Sequence, residues 1–234
     1  MSEGDRPRTG WPDPIRRMAV RGGLLTLPRP VLVAELGLIF FGLPALYAWL
    51  RPPMHVLAVL WVVTGCCLVS LLFDPTFDRR RLGRWRVGAG ELRRLAVRLV
   101  IVGLVLAGIV FAVAPDRLFD FPRARPALWA LVMVFYPLLS VVPQGITYRA
   151  FFFHRYRSLF GDGPLMIAAS AIAFCFGHVV FGNAVALVLT AAGGLMFART
   201  YARTGSLPFS CLEHALYGCL AFTLGLGRYL YLGS

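Results

Sequence analysis

Of the four histidines in this sequence, His178 and His214 fall inside long apolar stretches, where an ionisable group is costly and therefore worth a mechanistic reading. Gln144 and Arg149 close a third such stretch. Each of these residues alone reads equally well as an interhelical hydrogen-bonding group. Together they form a set that can converge on one cavity, with imidazoles to move protons or polarise a carbonyl and an amide and a guanidinium to orient what binds. Cys175 precedes His178 by three residues and Cys211 precedes His214 by three, so two helices presenting these faces would offer a Cys2His2 zinc site. The competing reading is that cysteine is a small apolar filler in tightly packed helices. Glu213 is the acidic residue nearest to these positions in sequence. Neighbouring helical residues point about 100° apart, so Glu213 and His214 cannot face one point, and an ion pair between Glu213 and Arg149 is expected. Glu35 and Arg98 also lie at apolar depth and are expected to form interhelical pairs or to snorkel, outside any site.

The elements that must position these groups are helices in lipid. Hydrophobic residues make up 58% of the 234 and charged residues only 15%, and the mean hydropathy is +0.70, far above a soluble domain of this length. A bilayer core of about 30 Å takes roughly 20 apolar residues of helix. Blocks near that length recur at about 31–50, 54–73, 95–114, 127–143, 164–181, 184–198 and 206–224. The fold class is therefore all-α, a polytopic transmembrane helical bundle of about seven spans. All 24 positive side chains are arginine; in this topology eighteen fall on the side of the N-terminus and five on the other, with Arg98 inside a span. That bias places the N-terminus in the cytoplasm. It also accounts for the formal charge of +13 without nucleic acid, since no basic stripe is interleaved with aromatics. Residues 1–30 read as an Arg-rich cytoplasmic tail without the pattern of a signal peptide, and 31–234 as one transmembrane domain. Cys66, Cys67, Cys175, Cys211 and Cys219 all lie in apolar stretches, as buried thiols do, and not in a loop-borne disulfide framework.

Three short motifs, in order, resemble the CAAX protease and bacteriocin-processing (CPBP, or ABI) family of intramembrane endopeptidases over about residues 128–227. The first is Gln144-Gly145-Ile146-Thr147-Tyr148-Arg149 followed by Ala150-Phe151-Phe152-Phe153, set against Glu-Glu-x-x-x-Arg and an aromatic run. The second is Phe174-Cys175-Phe176-Gly177-His178, against Phe-x-x-x-His. The third is His214-Ala215-Leu216-Tyr217-Gly218, against a His with Asn commonly four residues on. The resemblance implies an intramembrane, metal-assisted or water-activating endopeptidase acting on a membrane-associated peptide, with Gln144, Arg149, His178 and His214 at the catalytic positions. It implies that His178 and His214 are the ligands if a divalent metal such as zinc is bound, and that the chain resides in a bacterial inner membrane. In such a family the first Glu activates water, while the histidines stabilise the oxyanion or hold a metal. The departures fall on the motif itself: Gln144 replaces the first Glu, Gly145 the second, and Gly218 the Asn.

Three functions remain open on the sequence. One is an endopeptidase acting on prenylated tails, bacteriocin leaders or other membrane-associated peptides. Another is a silenced relative serving as a scaffold, peptide-binding or immunity-type protein. The last is a small transporter, which lacks the repeated halves and paired broken helices expected of one.

Overall fold

The computed structural model describes residues 27–52, 54–85 and 87–230; the expected Arg-rich tail lies almost wholly outside the described residues. Among those described the chain is helical, with no strand. Six helices are long and apolar enough to cross a membrane: α1 (Arg29–Leu50), α2 (Val56–Phe73), α3 (Ala89–Val113), α4 (Pro126–Arg155), α5 (Pro164–Phe181) and α6 (Ala184–Thr204). A seventh, α7 (Leu207–Thr223), has 17 residues and is the most buried of the sequence-predicted spans, with Leu207, Phe209, Ser210, Glu213, His214, Tyr217, Gly218 and Ala221 all enclosed. The bundle is an integral membrane one: large apolar side chains such as Trp49, Val62, Leu104, Phe111 and Val188 point outward, which only lipid makes favourable.

The ends of the helices sort into two sides. At one, Arg203 of α6 pairs with Glu91 of α3 at 2.9 Å, the Ser206 hydroxyl bonds the Arg84 carbonyl, and His154 near the end of α4 meets Asp74 after α2 at 2.8 Å. At the other, the Asn183 amide donates to the Tyr229 carbonyl at 2.9 Å, and Gly225 packs on the Arg117 backbone closely enough to exclude a side chain. Alternating connections thus share a side, as a chain crossing seven times requires.

Three boundaries differ from the sequence expectation, the simplest being α6, which runs past 198 to Thr204. α3 starts at Ala89 and not near Leu95, because Gly88 and the Glu91–Arg94 and Glu91–Arg203 pairs support a polar first turn. α4 does not stop at Pro143 but runs on to Arg155, so Gln144 and Arg149 sit within the helix and Arg149 belongs to no connection. Two π-helical stretches make this continuation workable, Pro137–Val141 and Ile146–Phe151, on either side of Val142–Gly145. Proline has no N–H to give the carbonyl four residues back. For Pro143 that carbonyl is Leu139, and Trp61 Nε1 of α2 donates to it at 3.0 Å. The Thr64 hydroxyl bonds the Pro143 carbonyl at 3.2 Å and the Thr147 hydroxyl at 2.9 Å, so α2 satisfies the polar groups that the irregular winding releases.

The expected interhelical role of Glu35 holds: Arg155 grips it through two bonds of 2.8 and 2.6 Å, and the Tyr156 hydroxyl adds a third of 3.1 Å. The expected Arg149–Glu213 pair does not form. Glu213 faces α3, where Arg98 lies 3.0 Å from its carboxylate and also donates to Thr200 at 3.2 Å. The five cysteines are free; Cys67 is buried, Cys175, Cys211 and Cys219 are partly so, and Cys66 is exposed on the lipid face.

Candidate active site

α5 winds as α-helix to Gly177 and then tightens into a 3-10 turn, His178–Phe181, before Gly182 reverses the chain at φ +66°. The end of a helix leaves carbonyls without amide partners. His178 supplies one itself: its Nδ1 lies 2.7 Å from the Phe174 carbonyl. A carbonyl only accepts, so in the neutral ring Nδ1 carries the proton and Nε2 presents a lone pair. The Phe-x-x-x-His spacing is thus what lets the histidine close onto its own helix.

Phe174 serves the site through its ring as well. The centroid lies 4.6 Å from that of His178, 5.3 Å from that of His214, and 4.2 Å from the Arg149 guanidinium carbon. Three of the four candidate residues, from three helices, therefore meet on one phenyl ring. His214 is further fixed by stacking on Phe197 at 4.4 Å, and its Nε2 lies 3.2 Å from the Tyr136 hydroxyl. Gln144 donates from Nε2 to the Ser140 hydroxyl at 2.8 Å, while its Oε1 is buried and accepts no hydrogen bond among the described residues.

A cavity of about 360 Å3 is lined by Tyr136, Ser140, Gln144, His178 and His214 among apolar side chains of α3, α6 and α7. A second, of about 120 Å3, opens between α1, α2 and α4 and shares Ser140, Gln144, His178 and Phe181 with the first. The polar residues thus stand where two largely apolar spaces meet. Neither cavity is lined by a carboxylate among the described residues.

Arg149 is brought to the cluster without lining either cavity. It is 1% exposed, and its three guanidinium nitrogens have no hydrogen-bond partner among the described residues. The rings of Phe174 and Phe197, 4.2 and 5.2 Å from its guanidinium carbon, hold the cation instead. A carboxylate at position 145 has no room: a Cβ there would overlap the Cys211 sulfur and come within 3.2 Å of Leu207.

The residues do not fit a zinc centre. Among those described, no three His, Cys, Asp or Glu side chains gather as metal ligands. Cys175 points to the Leu187 carbonyl at 3.3 Å and Cys211 to Gly145, so the Cys2His2 arrangement is not formed. The two imidazoles alone fall short of the roughly three protein ligands a catalytic zinc takes.

Tyr136, Ser140 and Phe197 belong to the site and were missed in the sequence. The available signal was a polar stripe, Tyr136, Ser140 and Gln144, repeating every four residues on one apolar helix. Glu213 and His214 do diverge as expected, the first toward α3 and the second into the cavity.

No curated protein and no solved structure matches the chain. A family model does, over the residues that hold nearly all of this geometry. Residues 126–220, which include Tyr136, Gln144, Arg149, His178 and His214, are similar to the type II CAAX prenyl endopeptidase Rce1-like family.

Proposed function

We propose that the protein is an intramembrane endopeptidase that hydrolyses a membrane-associated peptide by a histidine-led variant of the family's chemistry. The observation that carries this reading is the His178 tautomer, fixed by the Phe174 carbonyl so that a lone pair on Nε2 is available at the junction of the two cavities. Gln144 cannot take a proton, but its unpartnered Oε1 accepts one hydrogen bond from a water, and His178 Nε2 accepts the other. The water oxygen then bonds to the peptide carbonyl carbon while one of its protons passes to His178. Collapse of the tetrahedral species breaks the C–N bond, and the imidazolium returns the proton to the departing amine. His214 faces the same cavity as a donor to the oxyanion, and the Arg149 charge behind Phe174 favours the anion in a low-dielectric surrounding. The two apolar spaces on either side of this group fit a peptide with an apolar or lipid-modified segment next to the scissile bond, such as a prenylated tail or a bacteriocin leader at the bacterial inner membrane.

One observation favours a second reading: among the described residues no carboxylate lines the cavities, so the chain can also be read as a silenced relative that binds a peptide without cutting it. A library of membrane-tethered peptides, incubated with the detergent-solubilised protein, separates the two. Cleavage that His178→Ala abolishes supports the histidine-led enzyme. Cleavage seen only after Gln144→Glu assigns the wild type to binding.

A further inference from the structure

The position at which the family resemblance leads one to expect an asparagine is Gly218, one helical turn after His214. In the structure that space is taken. A Cβ on Gly218 would overlap the Tyr136 hydroxyl and ring edge, and the hydroxyl reaches from there to His214 Nε2 at 3.2 Å. Any side chain at position 218 and the present placement of Tyr136 therefore exclude one another. Tyr136 also borders the 360 Å3 cavity beside His214 and Gly218, and its ring packs edge-on against His214 and Phe222, at 6.2 and 5.2 Å.

We propose that Tyr136 is the positioning residue of this site, a phenol from α4 that hydrogen-bonds His214 of α7 across the helix interface from the space that the missing side chain of Gly218 leaves. The proposal rests on the hydrolytic reading above. His214 stacks on Phe197 and meets Phe174 edge-on, but these contacts fix only the plane of the ring. The hydroxyl fixes the remaining freedom, the rotation that aims the ring, and keeps Nε2 hydrogen-bonded. A tyrosine suits this role because its hydroxyl both donates and accepts, so it follows His214 through a change of protonation without leaving a buried polar atom unpaired.

The test uses the full chain in detergent or proteoliposomes. Tyr136→Phe keeps the ring and its packing and removes only the hydroxyl. It is expected to lower kcat by about tenfold or more, with KM within about twofold and the unfolding midpoint unchanged. Gly218→Asn is expected to inactivate, since the new side chain and the Tyr136 ring compete for one space. Tyr136→Ala combined with Gly218→Asn is expected to regain activity over Tyr136→Ala alone, because the amide then has room to reach His214. A kcat for Tyr136→Phe equal to wild type, or no gain in the double variant, overturns the proposal. A readout that needs no turnover accompanies these: the 15N resonances of His214 in histidine-labelled protein shift in Tyr136→Phe while those of His178 stay in place. An unshifted His214 also overturns the positioning role. A wild-type protein that cleaves nothing while His214 does shift overturns the hydrolytic reading alone and leaves the pairing of Tyr136 with His214 supported.

Discussion

An arginine buried in a membrane without a carboxylate is the least comfortable group in this molecule. Arg149 is held by the faces of Phe174 and Phe197, contacts worth about 0.5 to 2 kcal/mol each, well short of a desolvated ion pair. Arg149→Met keeps the volume and removes the uncompensated charge. It is expected to leave stability equal or higher in a denaturant titration while lowering kcat about tenfold or more, because the positive field at the oxyanion is lost. A stability loss of several kcal/mol would mean that the charge is structural. The partnered charge behaves oppositely. Arg98 and Glu213 form a pair across α3 and α7, so Arg98→Met and Glu213→Gln should be non-additive by about 0.5 to 3 kcal/mol in a double-mutant cycle, whereas Arg149→Met and Glu213→Gln should be additive. At this scale His178, His214 and Gln144 were legible because a polar residue in an apolar run is a one-dimensional signal. The partner of Glu213 was not. Arg98 is 115 positions away from it, and only the packing of α3 along α7 says that it, and not Arg149, arrives there.

Helix contacts decide how closely those residues converge. α5 and α6 approach at Gly194, where a Cβ would meet Phe174 Cδ1 at 3.1 Å and the Ala171 carbonyl oxygen and Cα at 3.2 and 3.3 Å. Backbone cannot yield as a side chain does, so Gly194→Ala pushes the two helices apart and displaces the ring on which Arg149, His178 and His214 meet. The expected result is a loss of about 1 to 3 kcal/mol in unfolding free energy and a fall in activity. A neutral Gly194→Ala would show that the helices separate without cost. On α2, Thr64→Val removes both hydroxyl bonds to the irregular segment of α4 and should cost about 1 to 2 kcal/mol. Span positions were readable from hydropathy, because length and apolarity are sums over a window. The continuation of α4 past Pro143 was not, since proline in a sequence signals a stop unless a neighbour such as Trp61 takes the freed carbonyl.

For the molecule as a whole, topology and acid stability follow from the side on which charges gather. In a background without the five native cysteines, a membrane-impermeant maleimide applied to intact cells should label Asp116→Cys, between α3 and α4, and spare Asp162→Cys, between α4 and α5. The reverse pattern would invert the bundle. On the side of Glu91 and Arg203, Asp74 ties the end of α2 to α4: burial pushes its carboxyl up, but bonds from Thr76 and the contact with His154 outweigh that and hold it below the usual carboxylate range. A carboxyl depressed in the folded state stabilises above its unfolded value of about 4, and that contribution fades as the pH falls through the lower folded value. Asp74→Asn should therefore lower the thermal midpoint at pH 7 and flatten its decline below about pH 4. The two π-helical stretches of α4 carry a consequence for anyone comparing sequences. A π turn is a single residue inserted into an α-helix that the helix has absorbed without breaking. Relatives whose fourth helix is wound regularly would align with this one only if a one-residue gap were opened on each side of Val142–Gly145. Deleting one residue from 137–141 would shorten the protein by less than half a percent and return that turn to regular α-helix, with Gln144 kept on the face that lines the two cavities.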